Sequence, residues 1–550
     1  MKLPKNSLAQ TVIQLCNAKD IKHIVISPGS RNAPLTIGFT NHSYFKCYSI
    51  VDERCAAFFA LGIAQQLQEP VALVCTSGSA LLNYYPAIAE AFYSDISLVV
   101  LSADRPKHLV GIGDGQTINQ EAVFVNHILY SANLKEDDQQ TNDVKINNAL
   151  NTAVLQSGPV HINVPFSEPL YDRIDEFSVI PKSVEAIKKL EKIEDLSDYR
   201  SLWDNAKRKL VLVGVNAPNT VEQKFLDLLA NDESVIVFTE TTSNLHHNNF
   251  FPSIDKIIAP LVEDEFKQLQ PEIVLTFGGM IVSKKAKAFL RDYMPKYHWH
   301  IDTKKANDTF FCLSKQFKYS VNHFFESFFK SYKSAQSNYQ NYWQEVKQTR
   351  AKRHEAYINT IPYSDLKVFD VVLKTLPNNC MLQLGNSSTV RYSQLFDVNK
   401  TLKVFCNRGT SGIDGSTSTA IGAASVSNTP TVFITGDLSF FYDSNALWNN
   451  YIPSSFRIIV INNRGGGIFR ILPGHKNTDN FDTYFETKHQ LSAKKLCTMY
   501  GLEYTEVRNL EEIKRKISSF YSTSSQPKLL EIFTPREVND QVLLNYFKNI

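Results

Sequence analysis

The chain of 550 residues lacks the features that would commit it to a membrane, an oxidising compartment or a nucleic acid. Its eight cysteines (16, 47, 55, 75, 312, 380, 406 and 497) are scattered, with no Cys-x-x-Cys pair. That argues against a disulfide framework or dithiol motif and predicts reduced, mostly buried thiols in a cytoplasmic protein. No apolar run reaches bilayer-spanning length, and the start Met1-Lys-Leu-Pro-Lys-Asn6 has no signal-peptide core. Lys and Arg number 58 against 55 Asp and Glu, so a net charge of +3 offers no basic field for nucleic acid. No short-period repeat or low-complexity tract stands out, and no G-x-G-x-x-G run supports a dinucleotide site. What is present is an ordinary globular composition, 43% hydrophobic and 21% charged. The length suits three or four domains, each with its own core.

Short apolar runs alternate with helical patterns, which predicts mainly parallel sheets covered by helices on both faces. In the first third Ile24–Ser27, Val71–Cys75, Leu98–Leu101 and Val160–Val164 read as strands, with helices over Ala56–Leu67 and Ala80–Tyr93. The polar stretch Asp172–Arg208 reads as a solvated linker containing a helix-forming Lys/Glu run. The rhythm restarts with Lys209–Gly214, Val235–Phe238, Ile273–Phe277 and His298–Asp302. Gln316–Arg353, with its paired phenylalanines, reads as a connecting helix that packs between domains, its aromatics serving as core. Cys380–Leu384, Val404–Cys406, Thr431–Thr435, Ile458–Asn462 and Leu529–Phe533 are the strands of the last third. The expectation is an α/β protein of three doubly wound domains, 1–175, 176–355 and 356–550.

Polar clusters fall where these strands end. The run from Thr431 stops at Gly436-Asp437-Leu438-Ser439, and the run from Ile458 stops at Asn463-Arg464-Gly465. Between them Leu438–Trp448 is expected to form a crossover helix, placing Asp437 and Asn463 at neighbouring strand ends. A carboxylate, a carboxamide oxygen and a backbone carbonyl are hard ligands suited to Mg²⁺ shared with a bound phosphate. Gly465, Gly466 and Gly467 permit backbone approach to a ligand, and Ile468, Phe469 and Leu472 would form a lid. Ser30-Arg31, Arg105, Arg391 and Arg408 stand at strand ends, as do Thr76, Gly78 with Asn83, Gln116 and Ser387. Taken singly, such arginines are more often surface salt-bridge partners, and a pair such as Lys284-Lys285 is more often a solvated basic pair. Glu53, in a first helical turn, is equally explained by the helix dipole or a cap.

Taken in order, these motifs resemble thiamine-diphosphate-dependent enzymes of the 2-oxoacid decarboxylase and synthase superfamily, over nearly the whole chain. Ser27–Leu35, Asp52–Arg54, Thr76–Gly78, Ala103–Pro106, Gly385–Ser387, Asn407–Gly415 and Gly436–Ser439 carry the resemblance. They are most similar to the menaquinone-pathway synthases that join 2-oxoglutarate to isochorismate. Gly-Asp-Leu replaces the superfamily's common Gly-Asp-Gly, and Arg464 interrupts a frequent Asn-Asn-Asn run. The resemblance implies thiamine diphosphate and Mg²⁺, or Mn²⁺, as cofactors, with a pyrimidine-binding first domain and a diphosphate-binding third. It implies that Glu53 meets the pyrimidine N1′ and that Ile413 bends the cofactor. Thr76, Gly78, Asn83, Ser387, Ser411, Gly436, Asp437, Leu438, Ser439, Asn463, Gly465, Gly466 and Ile468 would surround it. Asp437, Asn463 and the Gly465 carbonyl would hold the metal. Arg31, Arg105, Lys284, Arg391 and Arg408 would bind substrate carboxylates, with Ser30, Gln116 and Ser387 as hydrogen-bonding groups and Phe469 and Leu472 as an apolar wall. The implied active unit is a homodimer or dimer of dimers, with sites at the subunit interface. An acetolactate-synthase-like enzyme or simple decarboxylase is the alternative within the superfamily, and a non-catalytic binding protein the alternative outside it.

Overall fold

The computed structural model describes residues 2–187, 192–472 and 478–550. Three parallel sheets follow one another along the chain. The first runs, across the sheet, Lys46–Ser49, His23–Ile26, Val71–Cys75, Leu98–Asp104, Val160–Pro165 and Tyr130–Asn133. The second runs Val235–Thr239, Lys209–Val213, Ile273–Phe277, Tyr297–Ile301 and Leu313–Phe317. The third runs Lys403–Cys406, Met381–Leu384, Thr431–Gly436, Arg457–Asn462, Lys528–Phe533 and Glu503–Val507. Parallel neighbours need crossovers, usually helical, and these cover both faces of the central strands. Every residue of Val71–Cys75, Lys209–Val213, Ile273–Phe277 and Arg457–Asn462 is accordingly buried. This is the doubly wound α/β architecture that the sequence pattern predicts.

The first and third sheets share one topology. In chain order, each runs second, first, third, fourth, sixth, fifth. The order reverses beside the first strand, which opens a crevice between the carboxyl ends of the first and third strands, the usual ligand position in such sheets. The backbones there come close together. A Cβ on Gly29 would fall 2.4 Å from the Thr76 Cβ, and one on Gly385 2.7 Å from the Thr435 Oγ1.

Two helices, Glu53–Leu67 and Ser416–Ser425, tie these sheets together. Gly62 and Gly422 let their backbones touch: a Cβ at either would lie 2.0 Å from a carbonyl oxygen, of Thr419 or Phe59 respectively. One core therefore runs from Phe58, Leu73 and Ile88 into Ile421, Phe433 and Ile458. Glu90, 1% exposed, adds a polar tie, its carboxylate accepting from the N–H groups of Gly409 at 2.7 Å and Thr410 at 2.6 Å.

Several elements differ from the sequence reading. The expected crossover helix over Leu438–Trp448 is a short helix, Asp437–Tyr442, and a 3-10 turn, Ser444–Leu447. Asp443 sits between them, with its carboxylate accepting from the Ser418 N–H at 2.7 Å. The helix expected over Ala80–Tyr93 is two, Ser79–Asn83 and Tyr85–Ser94, with Pro86 in the first turn of the second. Gln316–Arg353 is not one connecting helix: it starts in a strand and continues as helices Val321–Phe328 and Tyr339–Thr360. Phe324, Phe325, Phe328 and Phe329 do lie in the core of the second sheet. Asp172–Arg208 is not simply solvated, because Arg173–Ile174 pairs with Leu3–Pro4 and helix Ser197–Asn205 buries Trp203. Part of its Lys/Glu run, 188–191, lies outside the described residues. All eight cysteines are unpaired and six are buried. Among the described residues no helix is long and apolar enough to cross a membrane.

Candidate active site

The turn after the first strand of the first sheet is closed by Asn32, whose Nδ2 donates to the Ser27 carbonyl at 3.0 Å. It carries Ser30, with Oγ 3.1 Å from the Tyr171 hydroxyl, and Arg31. Arg31 is 6% exposed; Nη1 donates to the Phe166 carbonyl at 2.9 Å and Nη2 lies 3.2 Å from Glu168. Burial and the neighbouring Arg105 cation both lower its pKa. Arg105 reaches the Gly115 carbonyl at 3.3 Å. Facing loops complete this edge. Gln116 Nε2 donates to the Ser77 carbonyl at 3.2 Å, and Ser77 Oγ returns a bond to the Gln116 carbonyl at 2.9 Å. Gly78 has φ +84, where a side chain would be strained, and its N–H donates to Gln120 Oε1 at 2.9 Å. Ser77, Gly78 and Gln116 thus form one unit, while Thr76, just before them, packs on Gly29. Asn83 is exposed at the end of the helix Ser79–Asn83.

Glu53 opens the helix Glu53–Leu67, but Asp52 is its cap, accepting from the Cys55 N–H at 3.2 Å. Glu53 is therefore free of that task. It is half-buried beside the third strand's end, where burial and then its charge push the Cys75 thiol up.

The third sheet repeats the arrangement. Ser387, at φ 64, turns the chain after the first strand, and Arg391 Nη1 donates to its carbonyl at 2.6 Å. Arg408 is buried with Nη1 2.8 Å from Asn386 Oδ1, while Asn386 Nδ2 donates to the Asn407 and Gly412 carbonyls. That bracing holds the loop carrying Ser411 and Ile413. Ile413, 37% exposed, has its carbonyl fixed by the Ser439 hydroxyl at 2.7 Å. Asp437 follows Gly436 at the third strand's end and is 3% exposed. Its Oδ1 accepts from the Leu438 N–H at 2.7 Å and its Oδ2 from the Gly465 N–H at 3.0 Å. Asn463 and Asp437 are therefore drawn together through the turn 463–466. Gly466 N–H donates to the Glu486 carbonyl at 2.6 Å, and a Cβ on Gly465 would strike the same oxygen at 2.8 Å. Ile468 and Phe469 lie in the 3-10 turn Gly467–Arg470, and Leu472, 41% exposed, follows it.

Lys284 comes from the second sheet, at the start of the helix Lys284–Asp292 behind its cap Ser283. The buried Glu240 carboxylate accepts from the N–H groups of Val282 and Ser283, at 2.8 Å and 2.7 Å. Lys287, one turn on, lies near Arg408: burial and the cations of Arg408, Arg291 and Lys284 lower its pKa, against Glu240. Lys284 itself is exposed at the start of that helix. Lys285 points elsewhere, its Nζ 4.8 Å over the Phe547 ring. Lys287, Glu240, Gln120 and His489, whose Nε2 lies 3.2 Å from Asp437, are residues the sequence reading did not find. Only Lys287 carried a signal, its three-residue spacing from Lys284.

The structure thus divides the sequence-predicted residues into two groups. Ser30, Arg31, Glu53, Thr76, Gly78, Asn83, Arg105 and Gln116 belong to the first sheet, Lys284 to a helix of the second, and the rest to the third. Among the described residues no hydrogen bond or ion pair joins a predicted residue of one group to one of the other. Both groups have unmet hydrogen-bonding capacity. The buried Nε–H groups of Arg31, Arg105 and Arg408 and the buried Oδ1 of Asn463 have no partner among the described residues. Buried groups of this kind are ordinarily satisfied, so acceptors are wanted at the arginines and a donor or cation at Asn463. Among the described residues no cluster of three His, Cys, Asp or Glu could hold a metal. The set Asp437, Asn463 Oδ1 and a Gly465 carbonyl, with a single carboxylate, fits an oxygen-seeking cation that takes its remaining ligands from a diphosphate.

Two like-wound sheets with ligand crevices, one of them fitted for a diphosphate-bound cation, define the thiamine-diphosphate enzymes. Residues 6–123 match the thiamine pyrophosphate enzyme N-terminal TPP binding domain, and residues 385–532 the C-terminal TPP binding domain. The chain is 57% identical to a 2-succinyl-5-enolpyruvyl-6-hydroxy-3-cyclohexene-1-carboxylate synthase of Flavobacterium psychrophilum, over 100% of this chain and 99% of that one. It is 59% identical to the synthase of that name from Christiangramia forsetii, with the same coverage. Identity is 36% to one from Porphyromonas gingivalis, over 98% of this chain and 96% of that one. The chain belongs to the 2-succinyl-5-enolpyruvyl-6-hydroxy-3-cyclohexene-1-carboxylate synthase family.

Proposed function

We propose that the protein decarboxylates 2-oxoglutarate and joins the remaining succinyl unit to isochorismate by conjugate (1,4) addition. The products are 2-succinyl-5-enolpyruvyl-6-hydroxy-3-cyclohexene-1-carboxylate and CO₂, in menaquinone biosynthesis. The carrying observation is that three arginines, Arg31, Arg105 and Arg408, each bury an Nε–H that lacks an acceptor among the described residues. Both substrates are dicarboxylates, and a guanidinium recognises a carboxylate through paired N–H donors. Arg391 adds a cation at the third sheet and Lys284 one from the second, and Ser30, Gln116 and Ser387 are neutral hydrogen-bonding groups. Phe469 and Leu472 form the apolar wall.

Thiamine diphosphate, when bound, supplies the electron sink that decarboxylation of a 2-oxoacid requires. Glu53 would hold a proton at the pyrimidine N1′, and Ile413 would pack against the cofactor. Asp437, Asn463 and the Gly465 carbonyl would hold Mg²⁺, or Mn²⁺, with the diphosphate. Thr76, Gly78 and Asn83 serve the pyrimidine side; Ser411, Gly436, Leu438, Ser439, Gly466 and Ile468 serve the diphosphate side. The active unit is a cytoplasmic homodimer or dimer of dimers, built from chains of three domains, 1–175, 176–355 and 356–550. Each site takes its pyrimidine group from one chain and its diphosphate group from another.

The test is isochorismate consumption by the purified protein with thiamine diphosphate, Mg²⁺ and 2-oxoglutarate, each omitted in turn. Loss of isochorismate that needs all three is the expected result. CO₂ release from another 2-oxoacid, with isochorismate untouched, would replace this reading with the decarboxylase or acetolactate-synthase-like one.

A further inference from the structure

The carboxamide of Asn463 can serve a cation only through its oxygen, yet its two ends are nearly the same size and shape. Something must decide which end faces the site. Asn463 Nδ2 donates to Asp365 Oδ2 at 2.9 Å, and this leaves Oδ1 buried and without a partner among the described residues. Asp365 is itself held on every side. Its Oδ1 accepts from the Thr534 hydroxyl at 2.6 Å, and its backbone N–H donates to Asn539 Oδ1 at 2.8 Å. Thr534 is anchored in turn by its N–H on the Asn462 carbonyl at 3.1 Å. Asp365 opens the helix Asp365–Thr375, Asn463 follows a central strand, and Thr534 follows the next strand over. Three elements therefore converge on one carboxylate, which lies 3% exposed.

We infer that Asp365 is a positioning residue that fixes the orientation of the Asn463 amide, and that Thr534 fixes Asp365. A carboxylate accepts but does not donate, so only the NH₂ end of Asn463 can face it. The oxygen is then presented to the site. Without Asp365 the amide can turn over and present its NH₂ to the cation, which it cannot ligate. Outer partners of metal ligands act in this way, and their loss typically weakens metal binding about 10- to 100-fold. The inference rests on the reading of Asn463 as a metal ligand.

The test is Mn²⁺ binding, followed by the electron paramagnetic resonance signal of free Mn²⁺ at saturating thiamine diphosphate. Asp365→Ala should weaken Mn²⁺ binding about 10- to 100-fold in protein that still unfolds cooperatively. Asp365→Asn can accept from Asn463 and donate to Thr534, so it should weaken binding clearly less than Asp365→Ala. Thr534→Val keeps the carboxylate but removes its anchor, and should lower affinity by a smaller factor; these two variants decide if Asp365→Ala does not fold. Equal losses in Asp365→Ala and Asp365→Asn would overturn the orienting role in favour of charge alone. Unchanged affinity in Thr534→Val and in either Asp365 variant, beside a clear loss in Asn463→Ala, would overturn it outright. Parental affinity in Asn463→Ala would instead overturn the metal-site reading beneath it.

Discussion

An acid in the first turn of a helix has two bland explanations, and at Glu53 the structure removes one by giving the cap to Asp52, which leaves the helix dipole. Glu53→Gln keeps the shape of the site but cannot exchange a proton with the cofactor ring. Turnover should fall by about 10²–10⁴-fold, the usual worth of a positioned acid–base group, while calorimetry shows thiamine diphosphate still binding. Unchanged turnover would remove Glu53 from the chemistry. Arg391→Ala should act on KM for 2-oxoglutarate, raising it about tenfold or more, since a charge-assisted hydrogen bond is worth about 1.5–3 kcal/mol. A KM equal to the parent's would place Arg391 outside the substrate site. Glu240 is different, because burial pushes its carboxyl up to about 7 against the backbone N–H groups that favour the charged form. A carboxyl whose folded pKa is raised adds most stability below its unfolded pKa, and loses that contribution as pH climbs through the folded value. The parent should therefore lose stability between about pH 4.5 and 7 relative to Glu240→Gln, which has no charge to bury. Melting curves across that range check it, and parallel pH profiles for the two proteins would defeat it.

At the level of elements, the strands buried on both faces were legible because burial demands unbroken apolar runs, and Val71–Cys75 or Ile458–Ile461 can be little else. The loops after them were legible because they hold the polar residues that such runs exclude. Lys46–Ser49, Tyr130–Asn133, Leu313–Phe317 and Glu503–Val507 were not, since sheet edges tolerate Lys, Ser, Asn and Glu. The carboxylates that brace the candidate site were invisible for another reason. Glu90 serves a loop 319 positions away and Glu240 one 42 positions away, so neither forms a motif with what it holds. Of the helix pair Glu53–Leu67 and Ser416–Ser425, the first was legible as the helical pattern over Ala56–Leu67, but the contact between them is set by single glycines, Gly62 and Gly422. Gly422→Ala would place a Cβ 2.0 Å from the Phe59 carbonyl oxygen, so the helices must separate. Overpacking of this kind costs about 1–3 kcal/mol and should lower the thermal midpoint. A midpoint equal to the parent's would mean the pair is not held as closely as the backbone positions require.

The whole molecule carries both halves of a thiamine-diphosphate site, yet the described residues of the two predicted groups share no hydrogen bond or ion pair. Within the chain, the start of the Glu53 helix is occupied otherwise: Asp52 accepts from Asn445 at 2.9 Å and Arg54 donates to the Tyr442 carbonyl at 2.9 Å. Ile112, Tyr442 and Trp448 are large apolar side chains left exposed, at 68%, 54% and 52%. A two-fold dimer would bring the first sheet of each chain to the third sheet of the other and complete two sites at once. That arrangement makes a prediction no single-chain site can share. Glu53→Gln and Asn463→Ala should each be nearly inactive alone. Mixed and allowed to exchange subunits, half of the dimers become heterodimers, in which one site carries both changes and the other neither. About a quarter of the parental activity should return, if exchange is random and the two sites act independently. No recovery, with exchange verified by a tag on one variant, would confine each site to one chain. The two groups would then have to meet by a movement of one sheet against the other, which the glycine-packed helix pair between them opposes.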